Sequence, residues 1–115
     1  MENIIEHKSF QFAVRIVKLC KYIRKSKREV TLTTQLLRAG TSIGANVAES
    51  QQAQSRADFI AKLNIALKET AETKYWLRLL CETEYLTKQE FNSIYHDAVE
   101  LEKLLTSIIK SSTKF

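Results

Sequence analysis

Apolar side chains recur at intervals of three and four residues along most of the chain, which is the spacing of one face of an α-helix. This periodicity predicts four helices, at about residues 9–25, 32–52, 56–83 and 88–111. The 115 residues contain no proline and only two glycines, so the chain lacks the turn residues that a β-sandwich or an α/β fold requires. We therefore expect one all-α domain over residues 1–115.

Polar residues suited to capping precede the predicted helices. The candidate N-caps are Ser9, Thr31 or Thr33, Ser55 and Thr87. Asp58 and Glu90 stand three residues after the last two of these, the spacing of a capping box. Short connections make consecutive helices antiparallel neighbours, which predicts an up-down-up-down antiparallel four-helix bundle.

The first helix carries apolar residues over an unusually wide arc. Two adjoining stripes share it: Phe10, Val14 and Val17 in one, and Phe12, Ile16, Leu19 and Ile23 in the other. An ordinary surface helix needs an apolar face of roughly 100° to dock on one core. The excess indicates apolar surface beyond what one domain buries.

Small residues line one side of the second helix, at Gly40, Gly44 and Ala48. Each glycine costs about 1 kcal/mol relative to alanine within a helix. A strip of small residues lets another helix approach closely, and we favour this structural interpretation. The alternative is a backbone that faces a ligand.

Positive charge is concentrated at the start of the chain. The net charge is +5, yet residues 1–28 hold eight basic and two acidic residues, a local excess of +6. The candidate phosphate-binding residues are Lys8, Arg15, Lys18, Lys21, Arg24, Lys25, Lys27 and Arg28. No acidic residue lies between Glu6 and Glu29, so these cations lack ion-pair partners nearby in sequence, which favours phosphate contacts over a merely solvated face. Tyr22 is the only aromatic residue within the stripe.

A line of polar residues follows one face of the second helix, beside its apolar stripe. Its members are Arg38, Ser42, Asn46 and Glu49. Glu69 and Glu72 on the third helix are positioned to meet Arg38. We interpret the line as a polar seam that sets helix register or a subunit contact, with a binding or catalytic strip as the alternative.

Recognisable catalytic and metal-binding motifs are missing. Di-iron bundle enzymes need two Glu-x-x-His pairs, whereas Ile4 and Ser93 precede His7 and His96 by three residues. Neither zinc-ligand spacing nor a phosphate-binding glycine loop occurs. We expect no enzymatic activity, no cofactor and no metal. The start of the chain does not read as a signal peptide and the apolar runs are too short to span a bilayer, so we expect a cytoplasmic protein with no membrane partner.

Residues 35–50 resemble the central motif of a known family. The family is that of bacterial four-helix bundle proteins first noticed as reading frames in intervening sequences of 23S ribosomal RNA genes. The matching positions are Arg38, Ser42-Ile43 and Asn46-Val47-Ala48-Glu49, followed by Ser55, Phe59 and Trp76-Leu77. Leu37 and Ser50 depart from the usual arginine and glycine. The resemblance extends over about residues 9–110.

The resemblance implies a homo-oligomeric ring, typically a pentamer. A related branch, the accessory variability proteins of diversity-generating retroelements, forms basic pentameric barrels that bind nucleic acid and a reverse transcriptase. Membership of the intervening-sequence branch itself implies no biochemical activity. Two hypotheses follow: a non-enzymatic oligomer that binds RNA or other nucleic acid through its basic first helix, and a scaffold that binds an acidic protein partner.

Overall fold

The computed structural model describes residues 3–113. Four α-helices make up this part of the chain: α1 at Ile4–Lys27, α2 at Thr31–Ser50, α3 at Arg56–Glu82 and α4 at Lys88–Ser112. No strand occurs within it. The predicted all-α four-helix fold is confirmed, and the first helix begins five residues earlier than its periodicity predicts.

The helices alternate in direction around a four-sided bundle. α1 packs against α2 and α4, and α3 packs against the same two helices, while the backbones of the diagonal pairs stay more than 8 Å apart. Lys62 near the start of α3 meets Glu49 near the end of α2, as antiparallel neighbours require. The contact between α1 and α4 is the least extensive of the four, so a groove runs along this side of the bundle.

The wide apolar arc of α1 divides between the core and solvent. Phe12, Ile16 and Ile23 are buried in the common core. In contrast, Phe10 is 64% exposed and Val17 is 36% exposed. One apolar stripe therefore stabilises the bundle, and the other remains on the surface.

The N-cap predicted at Ser9 is wrong. α1 begins at Ile4, and the side chain of Asn3 accepts a hydrogen bond from the backbone N–H of Glu6. Ser9 is buried within the helix, where its hydroxyl donates to the carbonyl of Glu6. In the first turn of α1 only Ile5 is buried, and Ile4 is exposed. One buried position is too few to show helical periodicity, so the pattern did not indicate this start.

The N-cap predicted at Thr31 or Thr33 is also wrong. Val30 occupies the N-cap position of α2 and supplies no side-chain hydrogen bond. The carboxylate of Glu29 instead accepts from the backbone N–H groups of Leu32, at 2.6 Å, and Thr33, at 2.9 Å. Glu29, one residue before the N-cap position, therefore caps the helix with its longer side chain. It satisfies two of the free N–H groups at the helix start.

The caps of α3 and α4 follow the sequence more closely. Ser55 accepts from the backbone of Asp58, but the Asp58 carboxylate reaches the N–H of Gln54 rather than that of Ser55. Thr87 and Glu90 form a complete reciprocal capping box. The shorter aspartate explains why only the second box closes.

The glycines of α2 lie where α1 comes closest. A Cβ atom at Gly40 would stand 2.8 Å from side-chain carbons of Ile16, and one at Gly44 would stand 3.1 Å from the backbone oxygen of Ser9. The predicted close helix approach is confirmed at both glycines. Ala48, the third small residue, is exposed.

Candidate nucleic-acid interface

The N-terminal part of the cationic stripe is neutralised by α4. Lys8 Nζ lies 3.0 Å from the carboxylate of Glu100, and Arg15 pairs with Asp97. These partners are 92 and 82 positions away in sequence, so the lack of nearby acidic residues did not reveal them. The prediction that these two cations are unpartnered therefore does not hold.

Arg24 is hydrogen-bonded within the fold but forms no ion pair with any residue between 3 and 113. Its guanidinium donates to the hydroxyls of Thr33, at 3.0 Å, and Thr34, at 3.1 Å, on α2. The hydroxyls orient the guanidinium without neutralising it. Arg24 therefore keeps its charge at a fixed position on the α1–α2 side of the bundle.

Five cations are exposed, and their side chains make no hydrogen bond or ion pair to any residue between 3 and 113. They are Lys18, Lys21, Lys25, Lys27 and Arg28, and we call this set the cationic end of α1. Cations in the last turn of a helix also interact favourably with its dipole, which accounts for part of the clustering. The dipole does not neutralise them, and the field of the cationic end is directed into solvent.

The α1/α4 groove contains cavities along the cationic side of α1. One cavity, of about 320 Å³, is lined by the ion-paired side chains of Lys8 and Arg15 and their partners on α4. A second, of about 480 Å³, lies nearer the cationic end, between Lys18 and Tyr22 on one wall and Gln89 on the other. A third, of about 260 Å³, continues past Tyr22 to Lys27. Half of the Tyr22 side chain is exposed, and it lines both of these last two cavities.

Sequence reasoning did not place the α4 residues at this site. Ser93, Asp97 and Glu100 follow one another at spacings of four and three, so they share a face of α4. That signal is present in the sequence. Which helix the face meets depends on how α4 is rotated in the bundle, and the local pattern does not contain this information.

The polar line of α2 contacts α3 at its two ends. Arg38 pairs with Glu69, at 3.2 Å, and with Glu72, which also accepts from the indole N–H of Trp76. At the other end Glu49 bonds Lys62 at 3.0 Å, and this hydrogen bond raises the pKa of the lysine.

The side chains in the middle of the line make no hydrogen bond to α3. The Ser42 hydroxyl and the Asn46 amide each donate to a backbone carbonyl four residues earlier in α2. The Arg38 side chain is 48% exposed, so the line lies at the outer edge of the α2–α3 contact. The expected interhelical seam is therefore present only at its ends.

Neither cysteine forms a disulfide. Burial raises the pKa of the Cys20 thiol to about 11, and that thiol donates to the backbone oxygen of Thr33. No group of three or more metal-ligating side chains comes together in the part of the chain that the structure describes. In the same part, no helix is both long and apolar enough to cross a membrane.

A sequence model of the 23S rRNA-intervening sequence protein family matches residues 1–107. The chain belongs to this family. The resemblance predicted from the α2 motif is thereby confirmed. A solved structure from Bacteroides thetaiotaomicron, described as a protein with unknown function from the S23 ribosomal protein family, is 57% identical and superposes with a TM-score of 0.91. The match covers 92% of this chain and 98% of that one. No curated protein matches the chain.

Proposed function

We propose that this member of the family is a non-enzymatic, cytoplasmic, homo-oligomeric protein that binds RNA through the cationic end of α1. The observation that carries the proposal is the set of five exposed cations with no partner among residues 3–113. Unpaired lysines and arginines on one surface suit phosphate groups, which supply affinity without sequence recognition. The family description refers to 23S rRNA, and this favours RNA as the polyanion.

The cations differ in how available their side chains are to phosphate. Lys8 and Arg15 already neutralise carboxylates of α4, so phosphate would have to compete with those ion pairs. Lys21, Lys25 and Lys27 have no such competitor. We therefore assign the main phosphate contacts to the cationic end and a minor part to the start of α1.

Oligomerisation is the second part of the proposal. Phe10 and Val17 form an apolar surface that the core of one bundle leaves exposed. At 100° per residue, Tyr22 lies about 140° from Val17 around α1, whereas Lys21 lies about 40° from it. A neighbouring copy on the apolar surface therefore leaves the groove open and has Lys21 at its edge. A ring, a pentamer as the resemblance implies, would present several cationic ends at once and strengthen weak contacts by avidity.

Salt titration of RNA binding tests the phosphate contacts. A variant with Lys21, Lys25 and Lys27 replaced by glutamine should bind a generic RNA more weakly. Its slope of log affinity against log salt should be shallower by about 2, since each single-strand phosphate contact contributes about 0.7. The matched control replaces Lys68, Lys103 and Lys110, three exposed lysines outside α1. This control variant has the same net charge as the first triple variant and should retain most of the wild-type slope.

The opposite result would favour a different partner. If the wild-type protein bound neither RNA nor duplex DNA at low salt, the proposal would be overturned. The same cations would then point to an acidic protein surface, which is the scaffold hypothesis. If both triple variants lost affinity equally, binding would depend on net charge alone, and the cationic end would not be the site.

A further inference from the structure

We propose that the α1/α4 groove takes an unpaired nucleotide whose base stacks on Tyr22, so that the protein prefers single-stranded over duplex nucleic acid. This inference rests on the proposed function, and it adds a specific site and a ligand class to it. The juxtaposition that carries it is an exposed aromatic ring that lines two open cavities, each of which also has a lysine with no ion-pair partner among residues 3–113.

Tyr22 is placed as a stacking platform. Its side chain is 50% exposed, and it forms a wall of both the 480 Å³ cavity and the 260 Å³ cavity. Every nucleobase has an aromatic face, so stacking on such a ring is tolerant of sequence. Cavities of a few hundred cubic ångströms are in the size range that accommodates small ligands, and a single base falls within it.

Unpaired lysines lie on both sides of this ring. Lys18 lines the larger cavity, and Lys27 lines the smaller one together with Glu84 and Glu90. The two lysine positions are nine residues apart, which is about 13 Å along the helix. The two ammonium groups are therefore placed to contact phosphates before and after a base held on Tyr22, as in proteins that bind single strands along a cationic groove.

The opposite wall of the larger cavity offers polar groups to the edge of a base. The Gln89 side chain makes no hydrogen bond within residues 3–113, so its amide can both donate and accept. Glu90 uses one carboxylate oxygen on the N–H of Thr87, at 2.8 Å; its other oxygen can accept from a base amino group. The carboxylate is unfavourable for phosphate, which orients the base toward α4 and the backbone toward the lysines.

A duplex does not satisfy this arrangement. The faces of paired bases are covered by their stacked neighbours, so an aromatic side chain reaches a base only when that base is unstacked. A duplex would still contact the cationic end through its phosphates. The protein should therefore bind a single strand more tightly than a duplex, by the free energy of stacking one base on Tyr22.

The test compares the full-length protein with a Tyr22→Ala variant. Binding is measured by fluorescence anisotropy to a non-self-complementary RNA strand, to the RNA duplex of equal length and to the DNA strand of the same sequence. The variant should lose about tenfold in affinity for single strands, the loss expected for one stacked base, and should bind the duplex unchanged. Ultraviolet crosslinking with peptide mapping should place the crosslinked nucleotide at Tyr22.

Two further variants separate stacking from other effects. Tyr22→Phe keeps the ring and should bind single strands as the wild type does. Tyr75→Ala removes an aromatic side chain of similar exposure, 55%, from α3, and should have no effect. A DNA strand that binds as well as the RNA strand identifies the unpaired base as the ligand, and a preference for RNA adds a contact to the 2′-hydroxyl; either result supports the site.

The failures are distinguishable. Equal affinity for strand and duplex, unchanged by Tyr22→Ala but lowered by the triple lysine variant, would overturn the stacking site and leave the proposed function standing. A Tyr22→Phe variant as weak as Tyr22→Ala would overturn stacking in favour of a hydroxyl contact. Absence of binding to all three probes would overturn both proposals.

Discussion

Individual residues of this bundle owe their roles to contacts across helices. Gly40 is an example, because its missing side chain is what allows the fully buried Ile16 to lie against α2. Cys20 is another, since its thiol is held between α1 and the backbone of Thr33. At Gly40 the neighbouring helix limits the size of the side chain. At Cys20 burial between the helices favours the protonated thiol.

The buried thiol of Cys20 makes stability depend on pH. Burial raises its pKa from 9.0 to about 11, so between these values the native state keeps a proton that the unfolded chain releases. The free energy of unfolding should therefore fall as the pH rises from 9 to 11, with no contribution from this group below pH 9. Chemical denaturation at a series of pH values measures the effect.

Variants at the two cysteines isolate the contribution of Cys20. In the Cys20→Ala variant the free energy of unfolding should fall less between pH 9 and 11, so its difference from the wild-type value should narrow above pH 9. The Cys81→Ala variant is the matched control and should keep the decline due to Cys20. A constant difference between wild type and Cys20→Ala across the whole range would contradict the prediction.

At the level of the elements, the helix starts show how local chemistry and packing share control. The capping box of α4 uses residues within a single turn and is complete. The start of α2 depends on Glu29, which is 9% exposed and lies in the short connection after α1. The left-handed conformation of Arg28, with φ of 55°, ends α1 and turns the chain toward this position.

Two substitutions distinguish the observed cap of α2 from the one that the sequence suggests. Glu29→Ala removes the acceptor of two backbone N–H groups and should destabilise the protein by about 1–2 kcal/mol, as loss of an N-cap does. Thr31→Ala, at an exposed position with no capping bond, should change stability by less than about 0.5 kcal/mol. Urea unfolding of both variants measures the difference, and a larger effect at Thr31 would contradict the structure.

The whole molecule has two kinds of surface on its first helix. One is apolar, centred on Phe10 and Val17, and the other is cationic and borders the groove. The loose contact between α1 and α4 leaves the groove accessible, while the ion pairs of Lys8 and Arg15 hold its far end together. The proposed assembly thus uses the apolar surface of α1 and the proposed ligand site uses its groove side, with Lys21 between them.

If the proposed ring forms, placing a charge on the apolar surface should separate its subunits. Phe10→Glu should convert the assembly to a monomer of 13.3 kDa in light scattering, because a carboxylate is costly to bury in an apolar contact. The helical content should not change, since Phe10 is already 64% exposed in the single bundle. Gln11→Glu changes the charge equally on the neighbouring position and should leave the mass unchanged. A wild-type mass of 13.3 kDa would exclude the ring.

Much of the fold was predictable because it depends on short-range order. Helical periodicity, the capping box at Thr87 and the close approach at Gly40 and Gly44 each follow from residue types within a few turns. The candidate site was predictable only as a set of cations on one helix. The start of α1 was misplaced because Asn3 caps a first turn with a weak apolar pattern, and Glu29 was missed because a carboxylate one residue before the N-cap is an uncommon capping group.

The sequence by itself determined that this chain forms four helices, that its positive charge lies on the first of them, and to which family it belongs. Only the tertiary structure decided which cations lack a partner among residues 3–113. Lys8 and Glu100 are 92 positions apart, and their contact depends on how α1 and α4 are rotated about their axes. That rotation is set by packing of the common core, a property of all four helices together, whereas periodicity and charge are properties of each segment alone.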